Sequence, residues 1–454
     1  MEQLSALAPR TRHRVDEIIA RTQAASQAPS LIAAVVRDGS IVHVSAAGAT
    51  PPPGTDVQYR LGSITKSLTA ALVLGLRDQG RLDLDDPVDA HLPGVDLPGV
   101  RLRHLLGHAS GLQREPDGPW WERNPGRGLA DLLAGVGPAK LAFGRYERFH
   151  YSNLAYGLLG GVIERLSGGP GVGGAGSMAR YWFEAVQARL LTPLGMARTT
   201  YQATEPYAPG YVAHPWAGTL REEPREDAGA MAPAGQLWST VDDLARFAAA
   251  LTGHQPEVLA PATVDEMAHP VTLGDLESWT QGYGLGLQLW RSGERVYIGH
   301  TGSMPGYLAV LVVHRASATA AVAFANTYTL PGTGIGRVGL AILTTVLDHE
   351  PGRTAVWRPR ATAPAPVTPL LGRWWWMGRE HTARWEADER HGDGVLVIES
   401  PGEQWYFTPE SPDRWRGQTG EQAGEVLTVS RDAAGAVIGL DIATMVLRRE
   451  PMAD

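Results

Sequence analysis

One stretch constrains this chain most: Arg60-Leu61-Gly62-Ser63-Ile64-Thr65-Lys66-Ser67-Leu68 and the apolar run behind it. Leu68, Ala71, Leu72, Val73, Leu74 and Leu76 follow at helical spacing, up to a stop near Gly80. A helix that is apolar on most faces belongs in the middle of a fold. At its start, Ser63 and Lys66 stand three residues apart, so both side chains reach one point. A serine hydroxyl is a poor nucleophile until a base takes its proton. Lysine is such a base only where burial or a nearby positive charge lowers its pKa. The chain has 40 Lys and Arg in all, yet only Lys66 and Lys140 are lysine. Arginine stays protonated and cannot act as a base, so a lysine kept at position 66 is informative.

Composition narrows what such a pair can serve. With 454 residues there is room for more than one domain. A net charge of −8 argues against nucleic acid as the main partner. Without cysteine there is no disulfide frame, thiol nucleophile or thiolate metal site. No stretch has the length and apolarity of a membrane span. Met1 to Arg14 lacks a signal-type apolar run, so a cytoplasmic location is expected. The 14 histidines form no His-Glu-x-x-His pattern, and no metal or other cofactor is expected. The glycine-rich stretch 167–177 follows a helix and lacks a Gly-Lys-Ser/Thr ending, so it reads as a connector rather than a phosphate loop.

Two further groups carry chemistry. Tyr151-Ser152-Asn153 precedes an expected helix, Leu154–Leu166. A tyrosine can pass a proton if nearby positive charge lowers its pKa, and Asn153 can donate to a substrate carbonyl and accept from Lys66. Gly299-His300-Thr301-Gly302-Ser303 lies among runs that read as antiparallel strands: Gly284–Trp290, Val296–Ile298, Leu308–Val313 and Ala320–Ala325. His300 would bring a positive or hydrogen-bonding group to the hydroxyls of Ser63 and Tyr151. Gly302 would let the backbone approach a substrate. The N–H groups of Ser303 and Ser63 would form an oxyanion hole. Elsewhere, residues 11–27 read as an amphipathic helix, Leu31–Val36 and Ile41–Val44 as a hairpin about Asp38-Gly39, and Val241–Leu251 as a helix capped by Thr240. Residues 113–128, with Trp120 and Trp121, read as a long surface loop.

Ser63-Ile64-Thr65-Lys66, Tyr151-Ser152-Asn153 and His300-Thr301-Gly302 occur in the order and approximate spacing of the serine β-lactamase and penicillin-binding-protein superfamily. The pattern resembles its class C and esterase branch. The resemblance implies an α/β (α+β) transpeptidase-like fold: an antiparallel sheet flanked by helices, a helical subdomain, and the site between them. It implies catalytic roles for Ser63, Lys66, Tyr151, Asn153 and His300, and oxyanion or substrate contacts for Ser63, Thr301, Gly302 and Ser303. Because His300 stands where lactamases have lysine, β-lactam hydrolysis is not the expected activity.

The expected domains are a catalytic domain (1–348), a proline-rich linker (349–370) and a small all-β barrel (371–454) in which tryptophans crowd and short apolar runs alternate with turn signals. The tryptophans fit a barrel core or a ligand surface equally. Arg448-Arg449 fits a substrate carboxylate or a solvent-facing pair. The whole plan is similar to stand-alone penicillin-binding-protein-type thioesterases that cyclise non-ribosomal peptides and carry a C-terminal lipocalin-like β-domain. That resemblance implies a peptidyl carrier protein as partner, a substrate presented on a phosphopantetheine thioester, a D-residue at the acyl position and a head-to-tail macrolactam product. The alternative is a carboxylesterase or D-aminopeptidase-like hydrolase of the same superfamily. A silent binding protein is the third reading, against which the intact Ser63, Lys66 and Tyr151 speak.

Overall fold

In strand Ser30–Arg37 every residue from Ser30 to Val36 is buried. Alternate side chains of an extended chain leave opposite faces, so this strand feeds two cores. Ile32, Ala34 and Val36 join one, and Leu31, Ala33 and Val35 the other. The chain is described as a computed structural model over residues 6–48, 53–168, 177–330, 334–350, 363–386 and 394–451. It divides into two compact units, Met1–Gly352 and Arg353–Asp454.

The first unit is built on an eight-stranded antiparallel sheet. In spatial order its strands are Ser40–Gly48, Ser30–Arg37, Thr319–Ala325, Tyr307–His314, Arg295–Met304, Gln288–Ser292, Gln281–Tyr283 and Thr272–Leu273. Helices Pro9–Ser26 and Ile335–His349 cover one face, through Val15, Ile19, Ile342 and Val346. Against the other face lie the helices Thr65–Asp78, Asn153–Leu166 and Val241–Leu251, sharing a core with Ile32, Leu311 and Val322. Thr65–Asp78 is the central helix its apolar pattern predicts: Thr65 to Leu74 and Leu76 are all buried.

One expected strand is broken. Gly284–Trp290 reads as a single apolar run, but the chain pairs over Gln281–Tyr283 and Gln288–Ser292 and bends between them. The bend presses on the central helix. Gly286 sits at φ +78°, and a Cβ there would lie 2.2 Å from that of Ala70. Ser67 Oγ donates to Gly286 O at 2.7 Å. Helix Ser177–Val186 passes directly into one wide π-turn over Gln187–Leu191. The connector expected at 167–177 lies mostly outside the described residues.

The second unit is a closed antiparallel barrel of eight strands, from Gly372–Trp376 to Met445–Arg448, closed by pairing of Trp375 with Arg448. Trp374, Trp385, Trp405, Phe407 and Trp415 fill its interior with Leu396, Ile398, Leu440 and Leu447. These tryptophans are core, as their amphipathic bulk favours. Val367 and Leu370 join that core, so the last residues of the expected linker belong to the barrel. At the other end, His349 closes a helix, and residues 351–362 lie outside the described ones. Neither Arg448 nor Arg449 is a free cation. Arg448 pairs with Asp441 at 3.0 Å, and Arg449 stacks over Trp374 while donating to the carbonyls of Pro369, Leu371 and Arg373.

Candidate active site

Ser63 is in a short 3-10 turn, Gly62–Ile64, that runs straight into the central helix. It is half-buried, whereas Lys66, one turn on, is wholly buried. Lys66 Nζ lies 3.0 Å from Ser63 Oγ and donates to Ala234 O at 2.6 Å. It faces the ring of Tyr151 at 5.1 Å and that of Tyr156 at 5.6 Å. Burial penalises its charged form and lowers its pKa to about 7; Arg114 adds to this, while Glu115 and Glu122 oppose it. A neutral amine at hydrogen-bond distance from a hydroxyl is placed to take its proton.

The oxyanion side depends on close backbone approach. A Cβ on Gly302 would stand 1.8 Å from Leu61 O, and one on Gly62, which has φ +53°, would stand 2.3 Å from Ser303 N. Only glycine at both positions lets strand Arg295–Met304 abut the Ser63 turn and bring the Ser303 N–H beside it. Ser303 Oγ donates to Tyr328 Oη at 2.9 Å. Thr301 is held by Gln288, whose Oε1 accepts from its N–H at 2.9 Å and its hydroxyl at 3.1 Å.

Two expected roles change in the structure, and a third is kept with a pKa shift of the opposite sense. Tyr151 does sit beside Ser63, but burial outweighs the effect of Ser63 and Arg114 and raises its pKa rather than lowering it. It is therefore a neutral phenol, suited to relaying a proton and not to serving as a base. Asn153 does not accept from Lys66. Its side-chain NH₂ donates to Glu115 Oε1 and Oε2 at 2.8 and 3.0 Å, and its Oδ1 is buried without a partner. His300 is not a cation: burial and Lys66 lower its pKa to about 3. Its Nδ1 lies 2.5 Å from Thr301 O, which can only accept, so Nδ1 carries the proton. Nε2 then accepts from the hydroxyl of Tyr283. His300 packs 6.3 Å from the Tyr151 ring, centre to centre, as part of a cluster with Tyr283 and His108.

Several further residues stand around the site. His108 packs tilted against Tyr151, ring centres 4.3 Å apart, and its Nδ1 accepts from the N–H of Ser152 at 3.1 Å, which fixes the turn before helix Asn153–Leu166. The 113–128 loop is pinned rather than loose. Trp121 Nε1 donates to Glu115 at 2.7 Å, Arg123 pairs with Glu223 at 3.2 Å, and Gly126 N–H donates to Asp227 O at 2.7 Å. It contributes two carboxylates, Glu115 and Glu122, to the surroundings of Lys66. Among the described residues no group of three or more His, Asp or Glu is placed to hold a metal ion, and no helix is long and apolar enough to cross a membrane.

Comparison with known proteins places this geometry. The chain is 29% identical over 283 residues to penicillin-binding protein 4* of Bacillus subtilis, covering 58% of this chain and 59% of that protein. It spans between 49% and 59% of the length of that protein and of two further beta-lactamase-like relatives. The solved D-stereospecific amidohydrolase from Streptomyces sp. is 27% identical, with a TM-score of 0.60 over 76% of this chain and 99% of its own. SurE with D-Leu shares the fold at 24% identity and a TM-score of 0.56, covering 98% of this chain and 100% of its own. Residues 363–449 match a domain of unknown function, DUF7586. The Beta-lactamase family model matches residues 15–345, across Ser63, Lys66, Tyr151 and His300, and the chain belongs to that family.

Proposed function

We propose that this chain is a serine acyl-transfer enzyme that releases a peptide from a carrier-protein thioester as a macrolactam. The observation that carries the acyl-transfer reading is the buried Lys66 amine, with its pKa brought to about 7, 3.0 Å from the half-exposed Ser63 hydroxyl. Lys66 takes the Ser63 proton, and Ser63 Oγ attacks the thioester carbonyl. The oxyanion is held by the N–H groups of Ser63 and Ser303, an arrangement worth about 3–4 kcal/mol per donor. As the C–S bond breaks, the Lys66 proton passes through neutral Tyr151 to the leaving thiolate of the phosphopantetheine arm. The peptide's own amine then attacks the Ser63 ester, gives its proton to Lys66 and closes the ring, and Ser63 regains its hydrogen. His300, neutral and tied to Tyr283, holds the aromatic wall behind Tyr151 and transfers no proton itself. The partner in this reading is a peptidyl carrier protein. Preference for a D-residue on Ser63 is supported by the likeness to a D-stereospecific amidohydrolase.

That same likeness favours a second reading, in which water rather than an amine releases the acyl group. A synthetic peptidyl thioester with a D-residue at the thioester end and a free N-terminus separates the two. A product lacking only the thiol is the ring, and one heavier by a water is the hydrolysis product. No covalent adduct on Ser63 with any thioester or activated ester would overturn acyl transfer altogether.

A further inference from the structure

Of the two carboxylates that the 113–128 loop brings near Lys66, one is fully engaged. Glu115 accepts from Asn153, from Trp121 Nε1 and from Arg114 Nε at 3.1 Å. Glu122 is not: among the described residues its carboxylate takes part in no hydrogen bond and no ion pair. It is half-buried, and neither oxygen is among the buried atoms left without a partner, so both keep contact with solvent.

Its position is set from both sides. Trp121 packs against Gly235 beside the Ser63 turn, 3.3 Å from where a Cβ of Gly235 would be, and the same Cβ would be 3.7 Å from Gly62 C. Arg123 is held by Glu223. Glu122, between these anchors, bears on the charges of Lys66 and Arg60. Two of the cations around it are otherwise disposed. Arg114 is paired with Glu115, and Arg60 is buried, its Nε and Nη1 sealed off without partners. What is left is one carboxylate, partly open to solvent, in the segment that Trp121 holds against the Ser63 turn, without a counter-charge in contact.

We propose that Glu122 is the seat for a primary ammonium group of the substrate beside Ser63, an assignment that rests on the acyl-transfer reading above. The ligand chemistry is a free amine on the acyl donor, either the α-amine of an aminoacyl group or the N-terminus of a peptide folding back toward Ser63, which passes one ammonium proton to Glu122 before it attacks. A charge-assisted hydrogen bond to an ammonium replaces the hydration that partial burial has removed. Burial and Glu115 push the Glu122 carboxyl up to about 7, so an arriving cation stabilises its charged form.

The test uses D-phenylalanyl N-acetylcysteamine thioester, its N-acetylated counterpart and a peptidyl thioester with a free N-terminus, on the full chain. For an α-amine seat, the kcat/KM ratio of free to acetylated aminoacyl thioester falls about 10- to 100-fold in Glu122→Gln and partly recovers in Glu122→Asp. For an N-terminus seat, that ratio stays flat and the ring-to-acid product ratio falls instead. If neither ratio changes in Glu122→Gln while the Ser63 adduct still forms, the assignment is overturned. If Glu122→Gln forms no adduct, Glu122→Asp decides by the same two ratios. If the wild-type chain forms no Ser63 adduct with any thioester, the acyl-transfer reading falls and the seat with it.

Discussion

Gly302 and Leu61 meet with no room to spare: a Cβ on Gly302 would lie 1.8 Å from the carbonyl oxygen of Leu61. The clash is with backbone, so relief requires strand Arg295–Met304 or the Ser63 turn to move. Gly302→Ala should displace the Ser303 N–H from the Ser63 centre. The expected loss in kcat/KM is about 10²–10³-fold, that of one oxyanion donor. Steady-state kinetics with an activated ester, alongside circular dichroism to verify folding, checks it; a loss under threefold contradicts it.

Lys66 sets the pH dependence. Its pKa near 7 predicts acylation of Ser63 that rises with pH through about 7 and levels off above, about tenfold lower at pH 6. His300, at about 3, adds no limb in this range. Lys66→Arg should abolish the reaction, since a guanidinium cannot take a proton. The same shift bears on stability. In the unfolded chain Lys66 binds its proton up to about its ordinary 10.5, in the folded chain only up to about 7. Between those values the unfolded state holds more protons, so this residue makes stability rise with pH. Lys66→Met should be inactive with a Tm at pH 6 no lower than that of the wild-type chain. Stopped-flow acylation and thermal melts at several pH values read both effects.

Asn153 donates to both oxygens of Glu115. Asn153→Asp sets two carboxylates against each other in a partly buried place, whereas Asn153→Ala only removes the donor. The aspartate variant should therefore lose more activity and more Tm than the alanine one, the order opposite to what side-chain size suggests. Restoration of the aspartate variant by Glu115→Gln would locate the effect in this pair; equal damage by both single substitutions would refute it.

Trp374 is at the centre of the barrel. Its ring is buried, its Nε1 donates to Leu370 O at 2.7 Å, and Arg449 stacks on its face at 3.7 Å. Trp374→Ala should cost the barrel about 3–5 kcal/mol. Calorimetry should show the lost or lowered transition, while labelling of Ser63 by a fluorophosphonate continues at unchanged stoichiometry. Loss of labelling together with that transition would mean that the two units fold as one.

The site was legible where chemistry and chain order coincide. Ser63 and Lys66 share a helix face, and His300, Gly302 and Ser303 share a strand, so spacing alone groups them. What the residues' neighbours do was not legible. Tyr151 reads as a proton carrier, but the sense of its pKa shift depends on how deeply Tyr283, His108 and Tyr156 bury it. Asn153 reads as a ligand for Lys66 because nothing local announces that Glu115, 38 residues earlier, takes its amide. The mostly apolar run at 284–290 hides a bend at Gly286, where the chain abuts Ala70 of the central helix. In the barrel, strand Arg379–Glu386 carries no apolar run, because its outward residues are charged or polar; only His381, Ala383 and Trp385 face in.

The abutment of Gly62 and Gly302 also has a bearing on how such an enzyme can change. The nucleophile's turn and the strand bearing the second amide are locked without side chains between them, so no substitution there can retune the gap. The catalytic geometry is thus inherited as a fixed part. Room for new acyl groups has to come from the walls, above all from the 113–128 loop, whose tethers (Trp121 to Glu115, Arg123 to Glu223) are replaceable side-chain contacts. A library aimed at altered specificity belongs in that loop and should leave both glycines alone.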